Sequence, residues 1–241
     1  MTDLGGTNAL VTGASSGIGR AVALELGKCG VSVVLVARRP EALQEVADDL
    51  QRAGSRAWPQ ALDLCSDAQL DGLGTSLASL GVAIDILVHG AAAHGLGTIA
   101  ETPVSQLDTL YRLNVRAPYV LTRSLLPQLR ARRGQVVFVN SSVGLAARGR
   151  LGPYAATKHA LRALADALRD EVNGQGVRVI SVYLGRTATP GQEAIHAQEG
   201  KAYAPDRLLQ PQDVARAIVA ALQMPRTAEV TDIHVRPFQK P

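Results

Sequence analysis

The chain has 241 residues, 46% hydrophobic and 19% charged, a composition suited to one large domain with a sizeable core. Aromatic residues make up only 3%, too few for a platform that stacks bases, and the formal net charge of +4 comes mostly from scattered arginines, which argues against nucleic-acid binding. No apolar stretch reaches membrane-spanning length, and the N-terminus has neither a basic start nor an apolar run, so a cytoplasmic domain with no membrane partner is expected.

Short β-branched runs alternate with longer helical patterns. Asn8 to Thr12 reads as the first strand and Gly17 to Lys28 as the helix after it. Ser32 to Ala37 is a continuous apolar run, as a strand buried on both faces requires. Pro40 opens the next helix, where its missing N–H costs little. Ser55 to Leu62 is a weaker strand, and Pro59 places it near a sheet edge. A helix is expected from Ser66 to about Leu80, and a fourth strand over Ile84 to Val88. Gln106 to Arg132 is one long helical segment in which Pro118 and Pro127 predict a kink or break. Then come a strand over Gln135 to Asn140, a helix from Pro153 to about Asn173 and a strand over Val177 to Tyr183. Pro211 to Leu222 is a late helix, and Val230 to Val235 the last strand.

This alternation predicts an α/β fold: a doubly wound, mostly parallel sheet of seven strands, helices on both faces, in a single domain over 1–241. Such sheets bind ligands beyond the carboxyl ends of their strands. Candidate residues fall there six times, at Gly13, Arg38, Asp63, Gly90, Ser141 and Gly185. Cys29 and Cys65 lack metal or redox spacing, so inert thiols and no metal site are expected.

The segment Thr12-Gly13-Ala14-Ser15-Ser16-Gly17-Ile18-Gly19 joins the first strand to the first helix. Its glycines allow a tight turn and a close approach to a ligand, and the helix start offers N–H groups and partial positive charge to a pyrophosphate. Between a buried strand and a helix, this spacing points to a dinucleotide rather than to a mere turn. The second strand ends in Val36-Ala37-Arg38-Arg39, with no acidic residue to meet a free 2′-hydroxyl. Arg38 can instead pair with a 2′-phosphate, with Arg39 as a second candidate and Ser15 also in reach, so NADP(H) is expected over NAD(H). The alternative for Arg38 is a surface arginine serving solubility. Asp63 and Leu64 can hold an adenine, with Asp63 accepting from its amino group; alternatively Asp63 caps the following helix.

Tyr154 and Lys158 are four residues apart on a predicted helix, and so share a face. An ammonium beside a phenol favours the phenolate, so Lys158 is expected to lower the pKa of Tyr154 and make it a proton donor or acceptor near neutral pH. Ser141, at a strand end, would complete such a site.

Taken together, the glycine loop, Asp63, Asn114, Ser141 with Gly144 three residues on, and Tyr154 with Lys158 resemble the short-chain dehydrogenase/reductase family over nearly the full length. The resemblance implies a Rossmann-like domain that oxidises alcohols or reduces carbonyls with NAD(P)(H). It implies Tyr154 as general acid or base, Ser141 as the hydrogen-bond donor to the substrate oxygen, Lys158 as the holder of the nicotinamide ribose, and Asn114 as the organiser of a relay water. The alternative for Asn114 is a polar side chain bonding backbone at a helix irregularity. Gly185 and Thr189, with Thr187 as an alternative, correspond to the loop that caps the nicotinamide carboxamide, and 191–207 to a mobile lid over a small-molecule carbonyl or alcohol substrate. Homodimers or homotetramers built on the long helices at 106–132 and 153–173 are also implied.

The chain departs from the family where Asn-Asn-Ala-Gly is frequent and His89-Gly90-Ala91-Ala92 stands instead. His89 reads as a replacement brace rather than a catalytic base, and His94 as a solvent-exposed loop residue, with approach to the substrate as the alternative. Leu184-Gly185 replaces the usual Pro-Gly. The last strand resembles the branch of serine and 3-hydroxy acid dehydrogenases. A binding protein that senses NADPH without chemistry is the competing class, and such proteins usually lose the tyrosine or the lysine.

Overall fold

Alternation of side chains across buried strands decides the layering of this molecule. In the computed structural model, which describes residues 2–239, the strands are β1 (Asn8–Thr12), β2 (Ser32–Ala37), β3 (Ala57–Ala61), β4 (Ile86–His89), β5 (Gln135–Ser141), β6 (Arg178–Leu184) and β7 (Asp232–Val235). Every neighbouring pair is parallel, in the order β3-β2-β1-β4-β5-β6-β7. The sheet is therefore wholly parallel, beyond the mostly parallel sheet expected, and β3 is an edge, as Pro59 implies.

The helices are α1 (Gly17–Lys28), α2 (Pro40–Arg52), α3 (Asp67–Leu80), α4 (Val104–Tyr111), α5 (Ala117–Ala131), α6 (Gly152–Val172), α7 (Pro190–Glu199) and α8 (Pro211–Leu222). Successive strand residues point to opposite faces, so Val11, Val33 and Leu35 pack with Val22, Leu26 and Ile218 from α1 and α8. Leu10, Val34 and Val36 pack on the other face with Leu77, Leu125 and Leu161 from α3, α5 and α6. Each such leucine contributes roughly 1.5–3 kcal/mol by leaving water. Among the described residues, no helix is long and apolar enough to cross a membrane.

The long central segment differs from the sequence expectation. It starts at Val104, and its irregularity is a π-helical stretch over Arg112–Arg116 rather than a kink at either proline. The residue four before Pro118 is Asn114, so the ladder bond that Pro118 cannot donate falls at this stretch, where the pairing already shifts by one residue. Pro127 lies on the exposed side of α5, and the helix continues through it. Segment 191–207, read from sequence as a lid, holds most of α7 and a short 3₁₀ turn over Pro205–Arg207.

The order of strands puts β1 beside β4, and the loops leaving these two strands diverge there. Thr12, at the end of β1, ties them together. Its buried hydroxyl accepts from the backbone N–H of Gly90 at 3.0 Å and of Ala91 at 3.2 Å, and donates to the Val88 carbonyl at 3.3 Å. Gly90 must be small, because a Cβ there would stand 2.6 Å from the Thr12 carbonyl oxygen. Thr12→Val keeps the shape, leaves the Ala91 N–H without its acceptor and leaves the Gly90 N–H with the Val88 carbonyl at 3.2 Å alone. Urea unfolding should show a loss of about 1–3 kcal/mol, and an unchanged midpoint would dismiss the brace.

Candidate active site

Glycine geometry builds one end of the site. Gly13 and Gly17 have φ of +70° and +54°, and a Cβ on Gly13 would lie 2.9 Å from the Ala91 backbone. Gly19 lets α1 seat against the same loop, since its Cβ would meet the Gly13 carbonyl oxygen at 2.4 Å. Ser16 precedes α1 in extended conformation and makes no side-chain cap. The first-turn N–H groups of α1 thus face the cleft without a side-chain oxygen of Ser16 on them.

The cleft above the strand ends measures about 1920 Å³, room for a dinucleotide and a substrate together. Every site residue expected from sequence lines it except Asn114, which lies beneath. Arg38 and Arg39 are exposed at its β2 end. Asp63 does not cap α3: Ser66 holds that position, and the Asp63 carboxylate accepts from the Cys65 N–H at 3.0 Å in a local turn. Thr189 is the N-cap of α7, accepting from the Gln192 N–H at 3.2 Å, while Thr187 is buried and donates to the Gly185 carbonyl at 3.1 Å.

At the other end Ser141, Tyr154 and Lys158 come together from β5 and α6. Gly144 is required between them, because a Cβ there would meet the Asn140 Oδ1 at 2.7 Å and the Lys158 carbonyl oxygen at 3.0 Å. Lys158 is buried, its Nζ donating to the Val139 carbonyl at 3.1 Å and standing 5.9 Å from the centre of the Tyr154 ring.

The expected lowering of the Tyr154 pKa is not found in this form. Burial pushes the phenol up to about 12, and the nearby Ser141 hydroxyl only partly opposes it. The lysine ammonium points to the Val139 carbonyl rather than to the phenol oxygen, and burial brings its own pKa down to about 8.

Asn114 sits within the π-helical stretch, almost wholly buried. Its Oδ1 accepts from the Ala93 N–H at 2.8 Å, and its Nδ2 donates to the Ala93 carbonyl at 2.9 Å and to the Thr157 hydroxyl at 3.1 Å. It therefore fastens the loop after β4 to α6, one residue before Lys158. His94, on that loop, keeps exposed surface but turns its ring to Tyr154, with centroids 5.2 Å apart. The cleft walls and then the charge of Lys158 lower its pKa. Two further lining residues, Arg148 and Arg150, went unread in the sequence, although an Arg-Gly-Arg turn between the serine and the tyrosine was there to be seen.

A parallel sheet with a glycine-cradled helix start at one end of its cleft, and a phenol, an amine and a hydroxyl at the other, defines a nucleotide-binding oxidoreductase of the α/β class. The chain belongs to the short chain dehydrogenase family, whose model matches residues 7–200. It is 33% identical over 234 residues to an uncharacterized short-chain type dehydrogenase/reductase of Sinorhizobium fredii, covering 95% of this chain and 90% of that one. L-sorbose reductase of Gluconobacter frateurii, crystallised with NADPH and L-sorbose, superposes with a TM-score of 0.89 at 29% identity over 97% of both chains. A metagenomic short-chain oxidoreductase in complex with NADP gives 0.85 at 29% identity, over 99% of this chain and 100% of that one.

His89 braces the sheet. Its Nε2 is 2.8 Å from the Thr122 hydroxyl of α5, and its ring stacks on Phe138 of the adjacent strand at 4.8 Å. Burial lowers its pKa from the ordinary 6.5 to about 3. As pH falls below 6.5 the unfolded chain takes up this proton first, so stability is full above 6.5 and is lost towards pH 3. Between pH 7 and pH 5 the loss from this one group is about 2 kcal/mol. His89→Asn should flatten the stability–pH curve over that range by a similar amount in chemical denaturation, and parallel curves for the two proteins would contradict it.

Proposed function

We propose that the protein interconverts a carbonyl compound and a secondary alcohol with NADP(H), Tyr154 exchanging the proton at the substrate oxygen. The observation that carries this reading is the convergence of Ser141, Tyr154 and Lys158 in the cleft that also holds the α1 start and Arg38. The NADP(H) bound to the two structural relatives above supports the choice of cofactor. The site fits such a group: Gly13 and Gly17 leave space and donors for a pyrophosphate, and no carboxylate follows β2 where the guanidinium of Arg38 stands.

Bound NADP(H) supplies or accepts the hydride. Ser141 donates to the substrate oxygen and stabilises negative charge that forms there. A phenol with a pKa near 12 is protonated at neutral pH, which suits Tyr154 to act as the acid of a reduction. Lys158 carries its charge below pH 8, and its ammonium would hold the ribose hydroxyls of a bound cofactor. Brought to the phenol, that charge would offset the burial that otherwise holds the phenol proton. Both amide hydrogens of Asn114 are occupied by Ala93 and Thr157, so its part in a water relay falls to its carbonyl oxygens. The α7 segment closes over the substrate as the lid. Exposed apolar side chains at Val104, Leu107, Tyr111 and Tyr119 along α4 and α5 support pairing of copies through this segment.

Tyr154→Phe should lower kcat about 100-fold or more while NADPH still binds, as read by stopped-flow NADPH oxidation beside a fluorescence titration. Retained turnover defeats the assignment, and NADPH binding without oxidation by any ketone or aldehyde in the unmutated protein favours a sensor. Arg38→Asp should weaken NADPH binding by about 1.5–3 kcal/mol and NADH binding far less. Equal affinities before and after the change remove Arg38 from the cofactor site.

A further inference from the structure

The cleft gathers the positive charge of the chain. Of 25 lysines and arginines ten line it, but of 21 aspartates and glutamates only two do, so the rest of the molecule is on balance acidic. The charges that look scattered along the sequence converge in space.

Strand order separates these cations into two ends. Arg38 and Arg39 follow β2, on the half of the sheet with the α1 start, where the dinucleotide phosphates are assigned. Arg148 and Arg150 follow β5, and Arg186, Lys201 and Arg207 follow β6, on the half that carries Ser141 and Tyr154. The one carboxylate at this end, Glu199, is already neutralised by Arg186 at 2.6 and 2.9 Å and by Lys201 at 3.1 Å. Among the described residues, Arg148, Arg150 and Arg207 make no ion pair. Glu101, fully exposed, owes its lowered pKa first to Thr98 and only weakly to Arg150.

Arg150 adds a second, independent sign. Its φ is +65°, in the left-handed region that side chains rarely adopt, and its carbonyl is pinned by the Gly97 N–H at 2.9 Å. Glycine would serve this turn with less strain, and Gly149 stands beside it. Arg133, just past α5 and outside the cleft, shares the left-handed conformation at φ +49°, so what sets Arg150 apart is its place on the cleft wall, four residues before Tyr154.

We propose that the substrate is an anionic carbonyl compound, its carboxylate or phosphate held by Arg148 and Arg150 while its carbonyl oxygen meets Ser141 and Tyr154. The proposal rests on the carbonyl-reductase reading and names the substrate class for it. Guanidinium groups suit both anions through paired N–H donors.

Matched pairs test it: acetoacetate against methyl acetoacetate, and dihydroxyacetone phosphate against dihydroxyacetone, with NADPH. The anion of at least one pair should exceed its neutral partner in kcat/KM by about tenfold or more. Which pair shows the preference separates carboxylate from phosphate. Arg150→Gly, and the same change combined with Arg148→Gln, should bring the ratio towards one, mostly through KM. The melting temperature of Arg150→Gly should stay within a few degrees, because its backbone conformation suits glycine. Neutral partners reduced as well as the anions in both pairs overturn the proposal. Calorimetric titration of the NADP⁺-loaded protein with the same four compounds reads affinity without turnover. Preferential binding of an anion, lost in Arg150→Gly, upholds the anion site even if hydride transfer fails and the reductase reading falls. Equal affinities within both pairs, or none measurable for either anion, sink it.

Discussion

The seating of α6 against the end of β5 is the constraint on which the site depends. Four links hold it. Asn140 donates to the Lys158 carbonyl at 3.1 Å, and its own Oδ1 accepts from the Ser141 N–H at 2.8 Å. Lys158 reaches back to the Val139 carbonyl at 3.1 Å. Gly144 leaves no side chain to hold the two elements apart. Ser141 is thereby set by the same asparagine that fixes the helix carrying Tyr154. Asn114 extends the frame to the next loop through Thr157 and Ala93, so one buried amide couples the wall beside His94 to the helix of the tyrosine.

Burial also sets the electrostatics. Tyr154 is raised and Lys158 and His89 are lowered for one reason, loss of water around the charged form. For His89 the neutral ring is the useful state, since it stacks and bonds as a brace. For Lys158 the same burial costs stability, because one backbone carbonyl replaces a hydration shell around an ammonium. Ribose hydroxyls and a substrate oxygen would supply the missing partners. A buried ammonium with one carbonyl partner marks a site that ligands can stabilise without new packing.

Much of this was legible in the chain because parallel strands buried on both faces leave unbroken apolar runs, and because a strand–glycine–helix junction has few alternative uses. Tyr154 and Lys158 were legible as neighbours on one helix face through their spacing, and as a site only together with Ser141 and the glycine loop. The π-helical stretch was legible only in part: Pro118 marks where the ladder loses a donor and Asn114 offers a polar side chain to backbone, but its partner Ala93 is fixed by tertiary structure. The start of α7 carried a readable signal in Thr189-Pro190, a cap followed by a proline at the first turn, and in Gln192, whose N–H the cap receives. A helix there is compatible with the lid that the family pattern implies. For Asp63 the alternative of a cap falls away, because Ser66 holds that position and the Asp63 carboxylate closes a local turn.

Charge placement lay beyond the sequence for a geometric reason. Arg38, Arg148 and Arg207 are separated by more than fifty residues each, and only the parallel winding, which returns every strand end to one edge, makes them neighbours around one opening. The doubly wound topology turns dispersed cations into a focused field, while an acidic remainder keeps the net charge small. Such a field acts on anything that enters the cleft. On the proposed reading it draws a phosphorylated dinucleotide to one end and an anionic carbonyl compound to the other. On that reading the arginines act on the arrival and seating of anions, and once paired their charge is spent, so negative charge forming on the carbonyl oxygen is left to Ser141 and Tyr154.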